Sequence, residues 1–238
     1  LNMAPESVDD QYVGCTHKME KLVRQEYLVK EFQKSNNFEK AWKAGENKFK
    51  EIRDNLARSH LIAMYVYTLN TVYGNFNNEV RTGKQKYKNK TFAWYSLHFL
   101  LTKALQILKK QQNKSYSTIY RGTKSKFKGG KGITFRFGSF TSFSLDKGVA
   151  QGFARIPGKS SGTGHCFEIK NYKGAEVSKY SEYPGEKEVL IPPYEMFKVT
   201  AVKTNDWCVT VFVLESAGDK SDLNCALFKY KKYIFKTF

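Results

Sequence analysis

The chain has 238 residues and a formal net charge of +18, with 41% hydrophobic and 15% aromatic side chains. That is ample material for a core and excludes a disordered chain, and no apolar run reaches the roughly 18 residues needed to span a membrane. The positive charge favours anionic substrates or surfaces as partners.

Residues 1–15 are acidic, with Glu6, Asp9 and Asp10, and read as an extended lead-in to Cys15. The first residues have neither the basic region nor the apolar core of a signal peptide. The spacing of Met19, Leu22, Val23, Tyr27 and Phe32 predicts a helix over 17–34. Trp42, Phe49, Ile52 and Leu56 predict a second over 38–57, with Asn36-Asn37 as the break between them. Ser59 is expected to cap a third, 61–73, apolar on nearly every side and therefore central. Residues 75–89 are polar and basic, read as a short helix and a loop. The clearest helix is 92–110: Leu97, Leu100, Leu101, Ala104, Leu105 and Leu108 form one stripe, read as core. Lys109 and Lys110 suit its negative end.

Beyond Asn113 the helical period stops. Short β-branched or aromatic runs at 117–120, 133–137, 165–170, 189–191, 197–202, 207–214 and 227–235 alternate with glycine turns and predict a mainly antiparallel sheet. Helices first and strands second indicate an α+β fold rather than alternating α/β. The expected organisation is a single domain, 1–238, with a mainly helical subregion over 1–112 and a β-rich core over 113–238.

Four cysteines, Cys15, Cys166, Cys208 and Cys225, show no C-x-x-C spacing, which argues against zinc and allows two disulfides in three connectivities. His17, His60, His98 and His165 have no metal spacing either. Asn89-Lys90-Thr91 and Asn113-Lys114-Ser115 are glycosylation sequons, and with the cysteines they lean toward a secreted chain. Gly129-Gly130-Lys131-Gly132 lacks G-x-G-x-x-G order and lies between β-type runs, so it reads as a basic hairpin turn rather than a nucleotide loop.

Three fragments carry candidate chemistry. Arg121-Gly122 closes a β run; the arginine can offer a fork to phosphate and the glycine allows a ligand near the backbone. Ser142 and Ser144 share one face if their segment is a strand. In Glu186-Lys187-Glu188 a Pro-Gly turn leads into two carboxylates; extended from Glu186 onward, these share a face about 7 Å apart. Paired acids of this kind can hold one group charged and another near neutral. The bland reading is a solvated strand end.

Arg-Gly, then Phe-x-Ser-x-Ser-Leu, then Glu-x-Glu-Val-Leu-Ile-Pro-Pro, in that order, resembles the R-S-E signature of the vertebrate arginine-specific ecto-ADP-ribosyltransferases. Supporting phrases, among them Asp9-Asp10-Gln11-Tyr12, Arg136-Phe137-Gly138 and Asn224-Cys225, extend the resemblance over nearly the whole chain. It implies transfer of ADP-ribose from NAD, as substrate, to arginine side chains of acceptor proteins, with release of nicotinamide and without a metal. Arg121 would grip the NAD phosphates, with Gly122 allowing close approach. Ser142 would hold the nicotinamide half, and Phe153, in the loop after the serines, would stack on nicotinamide. Glu188 would stabilise the cation formed as nicotinamide departs, while Glu186 would orient the acceptor guanidinium with help from Tyr183. A fixed carboxylate suits the oxocarbenium-like centre, and an arginine needs a base to become a nucleophile.

The resemblance also implies a terminal Cys15–Cys225 bridge, contributing ~4–5 kcal/mol in the chain-entropy model. It leaves Cys166 and Cys208 as a new bridge or as buried thiols. Localisation would be extracellular, either secreted or lipid-anchored through a removed tail, and the protein a monomer. Departures from the family are Phe143 between the serines, expected to point away from the cleft, and Lys187 between the glutamates. The alternatives are an NAD glycohydrolase and a surface or binding protein that lost turnover. A nucleic-acid binder using Lys109, Lys110, Lys114, Lys124, Lys126, Lys128 and Lys131 is a further class, disfavoured because such a basic face also suits an anionic substrate.

Overall fold

The structure, a computed structural model, describes residues 1–51, 54–112, 118–155 and 164–228. The first predicted helix forms as α1 (Thr16–Leu22), a π turn (Val23–Tyr27) and α2 (Leu28–Lys34) in direct succession. The second is α3 (Asn36–Lys48), shorter than expected. Ser35 caps its start by accepting from Phe38 N at 3.2 Å, and Arg58 closes its end, donating to Glu46 O at 2.8 Å and Phe49 O at 2.6 Å. These bonds satisfy carbonyls a longer helix would have used itself, so the chain turns at Phe49 although its apolar residues continue.

The central helix α4 (Arg58–Thr68) begins at an Ala57 cap rather than Ser59. It ends before the predicted boundary, and the Thr68 hydroxyl donates to Tyr65 O at 2.7 Å. Two short helices, α5 (Tyr73–Thr82) and α6 (Lys84–Lys88), occupy the polar stretch, and α7 (Tyr95–Gln111) is the predicted leucine helix. Its stripe is buried, together with Ser96, His98 and Thr102.

Among the described residues, eight strands form one sheet in the order β2-β7-β8-β4-β1-β3-β6-β5. They are β1 (Ile119–Thr123), β2 (Thr134–Arg136), β3 (Thr141–Ser144), β4 (His165–Lys170), β5 (Ala175–Glu176), β6 (Glu188–Ile191), β7 (Glu195–Thr204) and β8 (Thr210–Asp219). Every pairing is antiparallel except β4 with β8. β1 and β2 are not paired with each other, so the glycine loop between them is a turn but not a hairpin. The predicted strand at 227–235 begins in a 3-10 turn (Ala226–Phe228), and its remainder lies outside the described residues, as does the Asn113 sequon. Asn89, in the other sequon, is exposed.

Period-two alternation sorts the two faces of the sheet. Val189 and Ile191 join Phe143, Phe167 and Ile169 in one core, whereas Leu190 packs into the core of the helical half with Phe140 and the α4 and α7 side chains. Phe143 therefore lies in the core against Phe137, ring centroids 5.7 Å apart.

The acidic lead-in runs as a strap in which Asp9 and Asp10 are buried. Asp9 pairs with buried Arg136 at 2.7 Å and also accepts from Asp222 N and Leu223 N. Asp10 accepts from Tyr12 N, Cys225 N and the Tyr87 hydroxyl. Cys15 and Cys225, 210 residues apart, form a disulfide beside it. Asp10, Cys15 and Cys225 lie close enough to suggest metal donors, but the two sulfurs are bonded to each other. Cys166 and Cys208 form a second disulfide, buried beside Trp207.

Candidate active site

A cleft of about 420 Å³ opens where the middle of the sheet meets the helical half. Arg121, Gly122, Ser142, Phe153, Tyr183, Glu186 and Glu188, all named from sequence, line it. Strand register brings them together: β3 is the shared neighbour of β1 and β6, with Tyr120 opposite Ser144 and Ser144 opposite Glu188. Glu188 opens β6 on the face of Leu190, so alternation turns its carboxyl toward the helices and the cleft.

Glu188 is 5% exposed, and its carboxyl shares a face with the Ser142 hydroxyl, because Ser142 stands opposite Leu190, two residues further along β6. Burial pushes it up to about 7; Glu186 adds in the same direction, while the Ser142 hydroxyl and the Arg121 guanidinium oppose the rise. Arg121 donates from Nη1 to Ser142 O at 2.8 Å, which ties the cation to the serine strand. Partial burial also raises Glu186.

The two glutamates do not follow simple strand alternation. Glu186 belongs to a 3-10 turn (Pro184–Glu186), Lys187 is left-handed with φ of 48°, and the strand starts only at Glu188. The backbone winds between the acids, and both still reach the cleft. Ser144 holds that turn, its hydroxyl donating to Glu186 O at 2.7 Å and accepting from Asp146 N at 2.9 Å. Lys187 points to Asp146, 3.1 Å away, and does not line the cleft.

Sequence reasoning placed Phe153 in a loop, but it sits on a helix, α8 (Lys147–Ala154), whose N-terminus Asp146 caps by accepting from Gly148 N and Val149 N. Phe153 is 54% exposed at the cleft rim. Gly148 and Gly152 obscured the helix in sequence, since glycine is a poor helix former; the Asp146 cap was the legible signal. The need for glycine at 122 also differs from the expected one. A Cβ there would stand 1.9 Å from Ala150 O, so Gly122 admits α8 against β1.

The helical half contributes residues that sequence reasoning missed: Tyr67, Thr68, Asn70 and Tyr73 line the cleft. Tyr67 sat in a run read as apolar all round, where a tyrosine gives no signal beyond its ring.

The sequence matches the NAD:arginine ADP-ribosyltransferase family over residues 1–222. The chain belongs to that family. Curated relatives of this ADP-ribosyltransferase include chicken NAD(P)(+)–arginine ADP-ribosyltransferase 2, 35% identical over 96% of this chain and 73% of its own length. Human ecto-ADP-ribosyltransferase 4 is 35% identical over 96% and 73%, and rat T-cell ecto-ADP-ribosyltransferase 1 is 35% identical over 94% and 79%. Among solved structures, the eukaryotic mono-ADP-ribosyltransferase ART2.2 superposes with a TM-score of 0.78 at 33% identity, covering 96% of this chain and 99% of that one. A mutant of ART2.2 has been solved in complex with NAD, with a TM-score of 0.78 at 32% identity. The ADP-ribosyltransferase described here is thus an NAD-dependent enzyme of arginine modification, with the α+β fold of its relatives. Relatives carrying the "ecto" designation and the two disulfides fit an extracellular protein. No helix among the described residues is long and apolar enough to cross a membrane.

Proposed function

We propose that NAD lies across this cleft, with Arg121 on its phosphates, Ser142 on the nicotinamide half and Glu188 beside the nicotinamide ribose. The observation that carries this reading is the convergence of a buried carboxyl, a serine hydroxyl on the same face and an arginine on adjacent strands of one cleft. When the bond between the ribose C1′ and the nicotinamide nitrogen breaks, its electron pair leaves with nicotinamide. Positive charge then develops on the ribose, where ionised Glu188 stabilises it. Glu186, less buried and on the outer turn, orients the acceptor guanidinium and takes its proton as the new C–N bond forms. Exposed Tyr183 and Phe153 flank the opening, the former for the acceptor and the latter for nicotinamide. Gly122 serves NAD indirectly, by letting α8 approach.

Residues 1–238 act as one domain in this reading, since Leu190 and Phe140 bind sheet and helices into one core. The acceptors are arginine-bearing proteins outside the cell, reached by a monomeric enzyme that is secreted or held at the surface by a lipid.

The test is nicotinamide release and label transfer from NAD with and without a small guanidine acceptor. Glu188→Gln should abolish both. Glu186→Gln should reduce transfer while sparing hydrolysis, and equal loss of both would remove the division of roles. Nicotinamide release that is indifferent to acceptor would favour an NAD glycohydrolase.

A further inference from the structure

The helical half reaches the candidate site through a chain of polar groups that its packing role does not require. Tyr67, on α4, is buried. Its hydroxyl receives an N–H from Asn77 Nδ2 on α5 at 3.0 Å, and lies 3.1 Å from Phe140 O and 3.3 Å from Ser142 Oγ. Ser142 stands opposite Leu190 in the strand register, so its side chain shares a face with Glu188, and both line the cleft. We propose that Tyr67, oriented by Asn77, is a positioning residue for the reaction: acting through Ser142, it sets the charge state of Glu188.

The inference rests on the catalytic reading of Glu188 and follows from counting protons. Tyr67 and Ser142 have one hydroxyl proton each. With Glu188 ionised, Ser142 donates to the carboxylate, which leaves its lone pairs to accept from Tyr67; the single Tyr67 proton then turns from Phe140 O, 3.1 Å away, to Ser142 at 3.3 Å, while Asn77 supplies the Tyr67 oxygen. Donors then run in one direction, Asn77 to Tyr67 to Ser142 to Glu188, each polarising the next. With Glu188 protonated, the order reverses: the carboxylic acid donates to Ser142, Ser142 to Tyr67, and Tyr67 to Phe140 O. The charged form gains more, because a hydrogen bond to a carboxylate is stronger than one to a neutral acid. The chain thus opposes the burial of Glu188 and favours the ionised state that departure of nicotinamide needs.

The other groups around Glu188 are Arg121 from β1, which favours its ionisation, and Glu186 from the turn, which disfavours it. Tyr73 from α5 and Lys124 from the end of β1 also line the cleft, and Lys187 is engaged by Asp146. Tyr67 is itself held protonated by burial and by the charge of Glu188.

Two measurements on Tyr67→Phe test this. The acidic limb of the pH profile of NAD cleavage should move up by about half a pH unit, with kcat falling at low pH and the KM for NAD little changed. The 13C titration of the Glu188 carboxyl, which needs no turnover, should move by the same amount. Asn77→Ala should give a smaller shift in the same direction, and it provides the test if Tyr67→Phe does not fold. In a Ser142→Ala background, Tyr67→Phe should no longer move the titration. A lower melting temperature with both profiles unmoved would make Tyr67 merely structural and overturn the proposal, as would a shift that persists without Ser142. A wild-type protein that does not cleave NAD but shows the carboxyl shift would overturn the function and uphold the link from Tyr67 to Glu188.

Discussion

Gly122→Ala separates two reasons for a glycine at the phosphate end of the cleft. The added Cβ would meet Ala150 O at 1.9 Å and the Ala154 Cβ at 3.0 Å. Non-bonded heavy atoms settle at about 3.5–4.0 Å, so α8 must withdraw by more than an ångström or β1 must buckle. Overpacking costs typically 1–3 kcal/mol. Here the obstacle is helix backbone rather than a flexible side chain, so the upper end, about 3 kcal/mol, applies. For a chain of this size each kcal/mol is about 2–4 °C in Tm, which gives a fall of roughly 6–12 °C. Displacing α8 also moves Phe153 at the cleft rim, so the KM for NAD should rise. Thermal unfolding without NAD, read by intrinsic fluorescence, measures the first effect alone. A Tm within about 1 °C of wild type together with a raised KM would refute the packing argument. The glycine would then serve ligand approach, as its sequence context first suggests.

The pH dependence of NAD cleavage should show an acidic limb near neutrality, because Glu188 must be ionised and burial, reinforced by Glu186, pushes it up to about 7. Activity should therefore rise as pH passes through that value, and a limb in the ordinary carboxylate range would count against the assignment. Stability should run the other way. Glu31, buried while accepting from Ser96 N at 3.1 and 3.3 Å, is pushed by burial up to about 8. A raised carboxyl stabilises the fold while protonated and loses that contribution as pH climbs from its unfolded value through its folded one. Glu31→Gln keeps an acceptor for Ser96, so its Tm should decline less between mildly acidic and alkaline buffer than that of wild type. Arg136→Met leaves Asp9 buried without its cation and should cost about 3–5 kcal/mol, read as a lower denaturant midpoint at unchanged slope. Lys187→Gln removes only an exposed pair and should alter transfer by no more than about twofold; a large loss would mean that Lys187 faces the acceptor.

Which parts of this protein were legible from sequence follows from how local their physics is. The helix α7 announces itself through period, since burying one face is a local pattern. The true end of α3 was hidden because Arg58, ten residues beyond the last helical residue, caps it. The helix α8 was hidden by its glycines, and the burial of Asp9 by its distance along the chain from its partner Arg136 on β2.

For the candidate site, the sequence by itself determined which side chains to propose for the reaction: Arg121, Ser142, Glu186 and Glu188 stand in an order that could be read without coordinates. Only the tertiary structure decided their environment. Whether Glu188 is buried, which way Lys187 turns, why Gly122 must be glycine and that Tyr67 and Asn77 stand behind Ser142 depend on strand register and on the seating of α4, α5 and α8 against the sheet. A charge state depends on everything packed around the group, and those neighbours lie far away along the chain.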